Sequence, residues 1–312
     1  MQLIRNIKKL KNIKSPLVTL GNFDGVHLGH QRVLKAVKKR AEKLKLPSVV
    51  YTFVPHPLKV VAPHMSPPLL TTLEEKMGLI KSFGIDYSIL AHFTKEFAAQ
   101  HPREFAKNIL VGQLRVKEVV VGHDYAFGKG KEGTIGYLKD LGREFDFRVR
   151  VIPAYKKKGI IVSSSRVREY IQAGRVEDAA GFLGRPYAVS GRIVRGRNIG
   201  RGLGFPTANL EISSELVPEN GVYAVRIGLG RNIYNGVANI GFAPTFGENK
   251  FALEVHIMDF NRRIYGKELK VEFIKRLRDE KTFKDAGSLA FQIKRDIDMA
   301  KRALEGRLNK PQ

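Results

Sequence analysis

The chain has 312 residues, enough for two compact cores, and its composition of 43% hydrophobic and 27% charged residues is that of a globular protein. Lysine and arginine total 55 against 30 acidic residues, a net charge of +25 that favours either anionic partners or a surface adapted to heat. The absence of cysteine excludes disulfides, thiolate catalysis and cysteine-ligated zinc. No apolar run reaches the ~18 residues of a membrane span.

The first half of the chain alternates short apolar runs with amphipathic helical periodicity. Strands are predicted at 17–20, 49–53, 85–90, 118–121 and 148–152, and helices from Gly29 to about 44 and at 73–83, 102–114 and 135–141. The first strand follows the basic N-terminal segment directly and leaves no room for a signal peptide, so we expect a cytoplasmic protein. The alternation predicts a parallel sheet with helices on both faces, which binds ligands at the carboxyl ends of its strands.

The second half changes to short strands separated by glycine, proline and asparagine. Two helices are predicted first, one from Ser163–Ser165 to a stop at Gly174 and one at 176–183, and we place a domain boundary near Gly184. Strands are then predicted at 187–194, 221–228, 234–240, 252–258 and 269–275, followed by a helix at 288–304. This pattern predicts a small antiparallel β-barrel with a terminal helix, and therefore domains 1–184 and 185–312.

Two histidines, His27 and His30, open the first helix and are separated by Gly29. The free N–H groups and the dipole of a helix N-terminus favour phosphate, and imidazoles beside it can stabilise the charge on departing pyrophosphate. Helix capping and metal binding are the alternatives. The other candidate ligands, His56 and His64, show no zinc-type spacing.

The segment 21–30, Gly-Asn-Phe-Asp-Gly-Val-His-Leu-Gly-His, resembles the HxGH motif of nucleotidyltransferases and, over its full length, the bacterial bifunctional riboflavin kinase/FAD synthetases. Segments 52–57, 121–128 and 163–168 resemble further motifs of that family, with Ser165 where threonine is usual. The resemblance implies a Rossmann-like nucleotidyltransferase domain that transfers the adenylyl group of ATP to FMN.

The resemblance also implies roles for individual residues of this domain. His27 and His30 are the implied catalytic residues, and the implied ATP-binding residues are Asn22, Asp24, Ser164, Ser165, Arg166 and Arg168. The implied flavin-binding residues are Phe53, Pro55, His56, Asp124 and Phe127.

A glycine-rich segment, Gly200 to Asn209, lies between predicted barrel strands. Its backbone N–H groups suit phosphates, and the Thr207 hydroxyl and Asn209 amide oxygen suit a hard cation. The segment resembles the GFPTAN motif of riboflavin kinases, which implies that Thr207 and Asn209 bind Mg²⁺. The glycines that the resemblance assigns to ATP phosphates are Gly200, Gly202 and Gly204.

Three later segments, 220–225, 239–247 and 253–260, resemble riboflavin kinases in the same order. The last implies that Glu254 is the base that accepts the riboflavin 5′-hydroxyl proton. Alternation places Glu254 and His256 on one face of a strand, which is equally typical of a solvated carboxylate. The implied cofactor is Mg²⁺, and the implied substrates and products are ATP, riboflavin, FMN and FAD.

Three other hypotheses concern the whole chain. A class I aminoacyl-tRNA synthetase would carry a Lys-Met-Ser-Lys-Ser-type loop, which this sequence lacks. A non-catalytic sensor would lack either the histidine pair or the Thr207, Asn209 and Glu254 set, and both are present. The third leaves only one half active, because Ala243 stands where the family commonly has arginine and Arg195 where histidine is common. We expect small-molecule ligands, flavoprotein clients as candidate partners, no specific nucleic acid and no membrane, and a monomer or weak oligomer.

Overall fold

The computed structural model describes residues 1–5, 13–195, 199–242 and 251–305 of the chain. The chain divides into two compact units, Met1–Ser163 and Ser164–Gln312. No helix within the described residues is long and apolar enough to cross a membrane.

The first unit is built on a six-stranded sheet in which all neighbouring strands are parallel. Its strands are β1 Gln2–Ile4, β2 Leu17–Leu20, β3 Ser48–Val54, β4 Tyr87–His92, β5 Glu118–Gly122 and β6 Arg148–Ile152. Their order, β1-β4-β3-β2-β5-β6, reverses at β2, which lies between β3 and β5. The carboxyl ends of β2 and β5 therefore form the crevice in which sheets of this type bind ligands.

Helices cover both faces of the sheet, as the sequence predicts. They are α1 Leu28–Leu44, α2 Pro57–Val61, α3 Leu73–Ser82, α4 Lys95–Ala98, α5 Pro102–Phe105, a π-helix Ala106–Gln113 and α6 Ile135–Glu144. One core cluster joins Leu17 and Val50 to α1 and α3, and the other joins Val18 and Val49 to α5, the π-helix and α6. Adjacent strand residues thus contribute to opposite cores, as the two-residue repeat of a strand requires.

The second unit contains a closed six-stranded barrel in the order β10-β13-β12-β11-β14-β9. Its elements are α7 Ser164–Gln172, α8 Val176–Leu183, β9 Tyr187–Val194, α9 Ile199–Gly202, β10 Thr207–Ile212, β11 Gly221–Leu229, β12 Asn232–Phe242, β13 Phe251–Ile257, β14 Glu268–Arg278 and α10 Ala286–Glu305. A two-stranded hairpin, β7 Lys156–Lys157 and β8 Ile160–Ile161, precedes this unit. The predicted antiparallel barrel with a terminal helix is confirmed.

The prediction that the whole segment from Gly200 to Asn209 lies between strands is wrong for its last part, because Thr207 and Asn209 lie within strand β10. This strand closes the barrel by pairing with β13 on one side and β9 on the other. The edge strand β1 was also not predicted. Both are short strands whose pairing partners are distant in sequence.

Helices α7 and α8 belong by their contacts to the second unit, which begins at Ser164. Helix α7 ends before Gly174, whose φ of 67° gives the predicted glycine stop, and α8 ends at Gly184 with a φ of 73°. The apolar face of α8 is buried, and the helix packs on β9 and β14. A functional boundary near Gly184 stays a prediction.

Candidate active sites

The segment between β2 and α1 is buried and has an unusual backbone. Phe23, Gly25 and Val26 have φ values of 52°, 76° and 41°. A Cβ on Gly25 would lie 2.7 Å from Leu70 Cδ1, and the left-handed φ adds strain for any larger residue, so the position favours glycine. Left-handed φ is unfavourable for a β-branched residue such as Val26, and the surrounding packing must hold this turn in place.

Asp24 fastens this turn to the chain before α3. Its buried carboxylate accepts hydrogen bonds from the backbone N–H of Leu70 at 3.0 Å and of Thr71 at 3.2 Å. The Thr71 hydroxyl also donates to Asp24 Oδ1, at 3.3 Å. These contacts indicate that Asp24 positions the loop, and the phosphate contact implied for it stays a prediction.

Replacing Asp24 with Ala is expected to lower the free energy of unfolding of the first unit by about 2–4 kcal/mol, because hydrogen bonds to a charged group contribute ~1.5–3 kcal/mol each. Urea unfolding followed by circular dichroism measures the change. The control is Asp140→Ala, which removes an exposed pair with Arg143 and should change stability by less than about 1 kcal/mol. Equal effects of the two variants would contradict the role given to Asp24.

The two histidines lie together at the start of α1. His27 caps the helix, because its Nδ1 accepts a hydrogen bond from the His30 backbone N–H at 3.3 Å. The two rings stack with centroids 3.6 Å apart. A Cβ on Gly29 would lie 3.1 Å from the His27 ring, which explains a glycine between the histidines. Both readings made from sequence, helix cap and paired imidazoles, therefore apply to this motif.

The His30 side chain is held in its neutral form. Burial lowers its pKa well below the ordinary value, and the neighbouring His27 and Lys76 add to that effect. Among the described residues, His30 Nδ1 is buried and makes no hydrogen bond. A buried polar atom without a partner at a helix N-terminus suits a ligand that supplies the partner.

Lys76 on α3 is a neighbour of this site that the sequence analysis did not identify. Its ammonium donates a hydrogen bond to the Asn22 backbone carbonyl at 3.2 Å. The Thr52 hydroxyl donates to the same carbonyl, also at 3.2 Å. The Asn22 side chain approaches His56, with Nδ2 and Nε2 3.3 Å apart. Asn22, the second residue after β2, is thus joined to β3, to the N-cap of α2 and to α3.

The residues implied for flavin binding follow the carboxyl ends of β3 and β5. Pro55 follows a cis peptide bond at the end of β3, and His56 caps α2 by accepting a hydrogen bond from Leu58 N–H at 3.3 Å. Asp124 follows β5 and is exposed, with its carboxylate 3.7 Å from His123 Nδ1. The parallel sheet therefore brings His56, Asp124 and the histidine pair to one edge.

The two aromatic residues of that group differ in exposure. Phe53 is half-buried and meets Phe93 and Phe97 at ring distances of 5.4 and 5.7 Å. Phe127 is buried and packs 5.7 Å from both Phe105 and Tyr125. Phe53 can still offer part of its ring to a planar ligand, whereas the Phe127 contacts are those of a core residue.

Helix α7 begins at Ser164, as predicted, and carries the other residues implied for ATP. Arg168 is buried, which is unusual for arginine unless its charge is compensated. Arg166 is exposed and pairs with Glu169 one turn along the helix, and Ser165 is exposed. The ATP-binding roles implied for these residues, Ser164, Ser165, Arg166 and Arg168, stay predictions.

The glycine-rich segment of the second unit forms one helical turn, α9, followed by a tight bend. A Cβ on Gly200 would lie 2.5 Å from the Phe205 carbonyl oxygen, and Gly204 has a φ of 86°. These two positions need glycine for their backbone. Gly202 has open space around it, which is compatible with a ligand.

The three residues implied for the kinase reaction lie on neighbouring strands. Asn209 on β10 lies directly opposite Glu254 on β13, and Glu254 lies opposite Asn239 on β12. Thr207, two residues before Asn209, points to the same face of β10. The alternation predicted for β13 is confirmed, because Leu253 and Val255 are buried and Glu254 is half-buried.

His256 is a further member of this face. It lies opposite Thr207, and its Nδ1 lies 2.9 Å from the Pro206 carbonyl oxygen. Its ring also meets Phe205 at 6.0 Å. His256 thus fixes the entry to β10, and the two-residue repeat of β13 is the sequence signal that identifies it.

The sequence suggests two cation sites, a metal site at the histidine pair and a Mg²⁺ site at Thr207 and Asn209. No group of three or more His, Cys, Asp or Glu side chains in the described ranges could hold a metal ion, so the histidine pair is not part of such a zinc-type cluster. Thr207 and Asn209 carry hydroxyl and amide oxygens on one face beside a carboxylate, the oxygen donors that Mg²⁺ prefers. Ala243 and the end of the 239–247 segment lie outside the described residues, and Arg195 is exposed after β9.

Comparison with family models divides the chain in two. An FAD synthetase model matches residues 9–166, and a riboflavin kinase model matches residues 183–304. A crystal structure described as that of a macrolide-efflux protein from Streptococcus pneumoniae is 32% identical, covers 96% of this chain and 98% of its own, and superimposes with a TM-score of 0.87. An experimentally determined structure therefore shares the fold of this chain over nearly its whole length.

Curated relatives match along the full chain as well. Bifunctional riboflavin kinase/FMN adenylyltransferases from Buchnera aphidicola and Escherichia coli are each 38% identical, over 97% and 95% of this chain and 98% and 96% of theirs. The protein of the same name from Bacillus subtilis is 39% identical over 90% of both chains. With both family models present in order, the chain belongs to the bifunctional riboflavin kinase/FMN adenylyltransferase family.

Proposed function

We propose that the chain makes flavin nucleotides in two consecutive reactions at two separate sites. The second unit phosphorylates riboflavin with ATP to give FMN, and the first unit transfers the adenylyl group of a second ATP to FMN, giving FAD and pyrophosphate. The observation that carries this proposal is the presence, in two separate compact units, of the His27–His30 pair and of the Asn209–Glu254 pair.

In the adenylyl-transfer reaction, an FMN phosphate oxygen attacks the α-phosphorus of ATP and the bond to the β-phosphate oxygen breaks. Such a transfer needs positioning and charge stabilisation rather than a side-chain nucleophile. The neutral imidazole of His30 can act there as a hydrogen-bond donor, and the N-terminus of the 17-residue helix α1 adds its positive end. His27 holds the first turn in place by capping it.

In the kinase reaction, the riboflavin 5′-oxygen attacks the γ-phosphorus of ATP and Glu254 accepts the hydroxyl proton. Thr207 and Asn209 would hold Mg²⁺, which neutralises charge on the phosphates when it is bound. Glu254 lies directly opposite Asn209 in the barrel, so the base and the cation ligands act on the same substrate phosphate region.

The remaining assignments belong to the same proposal. Ser164, Ser165, Arg166 and Arg168 would bind ATP phosphates, and Phe53, Pro55, His56, Asp124 and Phe127 would line the flavin side. We further propose a cytoplasmic enzyme with a functional boundary near Gly184. Its basic charge would act on small polyphosphate ligands, with only weak, salt-sensitive binding of nucleic acid.

Incubation of the purified chain with riboflavin, ATP and Mg²⁺ is expected to give FMN first and FAD later. A chelator should stop the first step, because it removes the Mg²⁺ that Thr207 and Asn209 would hold. Chromatography over time separates the three flavins. Formation of FMN alone, or of FAD only from supplied FMN, would show that one half is inactive. If neither product forms over a range of temperatures and with reductant present, the proposal fails.

A further inference from the structure

Lys76 lies beside the histidine pair on a different element. His27 is the N-cap of α1 and His30 lies in its first turn, whereas Lys76 belongs to α3 and reaches the carbonyl of Asn22, the second residue after β2. Its charge acts on His30 and is itself affected by Asp24. Lys76 therefore brings a cation to the end of β2 at which the first unit is proposed to bind ATP.

The surroundings of Lys76 do not neutralise its charge. The side chain is half-buried, and within the described ranges its ammonium forms no ion pair with a carboxylate. Asp24 is near enough to favour the charged form, but the Asp24 carboxylate is directed to Leu70 and Thr71. Burial outweighs this and lowers the pKa of Lys76. A half-buried ammonium whose fixed partner is one carbonyl is stabilised when an anion binds beside it.

The groups around Lys76 are consistent with an anion at this place. At the start of α1 lie His27 and His30, the latter with a buried Nδ1 that makes no hydrogen bond, whereas the Thr52 hydroxyl on β3 already donates its proton to the Asn22 carbonyl. In the part of the chain that the structure describes, the acidic group that acts on Lys76 is Asp24, which is already held by backbone donors. The Lys76 ammonium and the His30 ring nitrogen thus both lie near the end of β2, where a phosphate chain would supply an acceptor for each.

We propose that Lys76 binds the polyphosphate of ATP in the adenylyl-transfer site and stabilises the pyrophosphate that leaves. This inference rests on the proposed function of the first unit. As the bond from the FMN phosphate oxygen to the α-phosphorus forms and the bond from that phosphorus to the bridging oxygen breaks, negative charge moves to the β-phosphate oxygen. The Lys76 ammonium is a donor for that charge. A merely structural Lys76 would do no more than tie α3 to the Asn22 carbonyl.

The test compares Lys76→Met with Lys76→Arg and with the control Lys81→Met, which changes an exposed lysine on the same helix. FAD formation from supplied FMN gives kcat and KM for ATP, and the reverse reaction of FAD with pyrophosphate gives KM for pyrophosphate. Loss of one charged hydrogen bond should lower kcat/KM for ATP by about 10–100-fold in Lys76→Met and raise KM for pyrophosphate. Lys76→Arg should recover most of the activity, and Lys81→Met should behave as the unchanged protein.

Two further measurements separate binding from folding. Riboflavin phosphorylation by the same molecules should be unchanged in every variant, and the melting temperatures of Lys76→Met and Lys81→Met should agree. An effect of Lys76→Met below about threefold would overturn the proposal. The proposal would also be overturned if Lys76→Met lost activity together with a lower melting temperature and Lys76→Arg did not restore that activity. If the unchanged protein made no FAD at all, the proposed function itself would be wrong.

Discussion

Replacing Glu254 with Gln is expected to lower the rate of FMN formation by about 10²–10⁴-fold, the usual contribution of a general base. Gln keeps the size and hydrogen bonding of the side chain, so the pairing of β13 with β10 and β12 should persist. FAD formation from supplied FMN should be unchanged, because the histidine pair lies in the other compact unit. Initial rates of both reactions, measured on the same preparation, give the comparison.

The matched control is Glu211→Gln on β10. Glu211 is exposed and lies opposite Arg192 on β9, two residues beyond Asn209. Its replacement removes the same charge from a strand that carries the proposed cation ligands, yet it should leave FMN formation within about twofold. Similar losses in the two variants would show that barrel charge in general, rather than a base at Glu254, supports the reaction.

The elements that sequence predicts well are those with local patterns. Strand β2 is predicted from the apolar run 17–20, and helix α1 from the spacing of Val33, Leu34, Val37 and Ala41. Each pattern is complete within one element. The glycine after α7 and the histidine cap of α1 are equally local. Each involves a partner within four residues along the chain.

The features that sequence does not predict depend on distant partners. The Asp24 clamp joins residues 46 apart, and the contact of Lys76 with Asn22 joins residues 54 apart. Strand β10 begins after a glycine-rich turn and is only half-buried over its first three residues, so it lacks the apolar run of its neighbours. Its pairing with β13, 45 residues away at Asn209 and Glu254, creates the second site. The alternation along β13 predicts the face on which Glu254 lies, but it does not predict that Asn209 is the residue opposite.

Replacing His30 with Ala is expected to lower FAD formation by about 10²–10³-fold, the effect of removing a donor aimed at developing charge. The variant keeps the His30 backbone N–H, which donates the capping hydrogen bond to His27 Nδ1, so the helix cap should persist. Riboflavin phosphorylation should continue, and FMN should therefore accumulate when riboflavin and ATP are supplied together. A time course of the three flavins by chromatography measures both effects.

The lowered pKa of His30 adds a pH dependence to the stability of the first unit. The folded state favours neutral His30, whereas the unfolded chain takes up a proton near the ordinary histidine pKa of about 6.5. Below that pH the unfolded state binds more protons, so stability falls as the pH is lowered toward the folded-state pKa. His30→Ala lacks this contribution, and its melting temperature should fall less steeply than that of the unchanged protein below about pH 6.5.

The control for both measurements is His64→Ala, which removes an exposed histidine of the same unit from the turn Pro63–Met65. It should leave FAD formation as it is, because its side chain is exposed and takes no part in the proposed site, and its melting curves give the reference for the acid dependence. A melt at neutral pH checks that each variant is folded. If His30→Ala reduced FMN and FAD formation equally, the two reactions would share one site, and the assignment of His30 and Glu254 to separate units would be wrong.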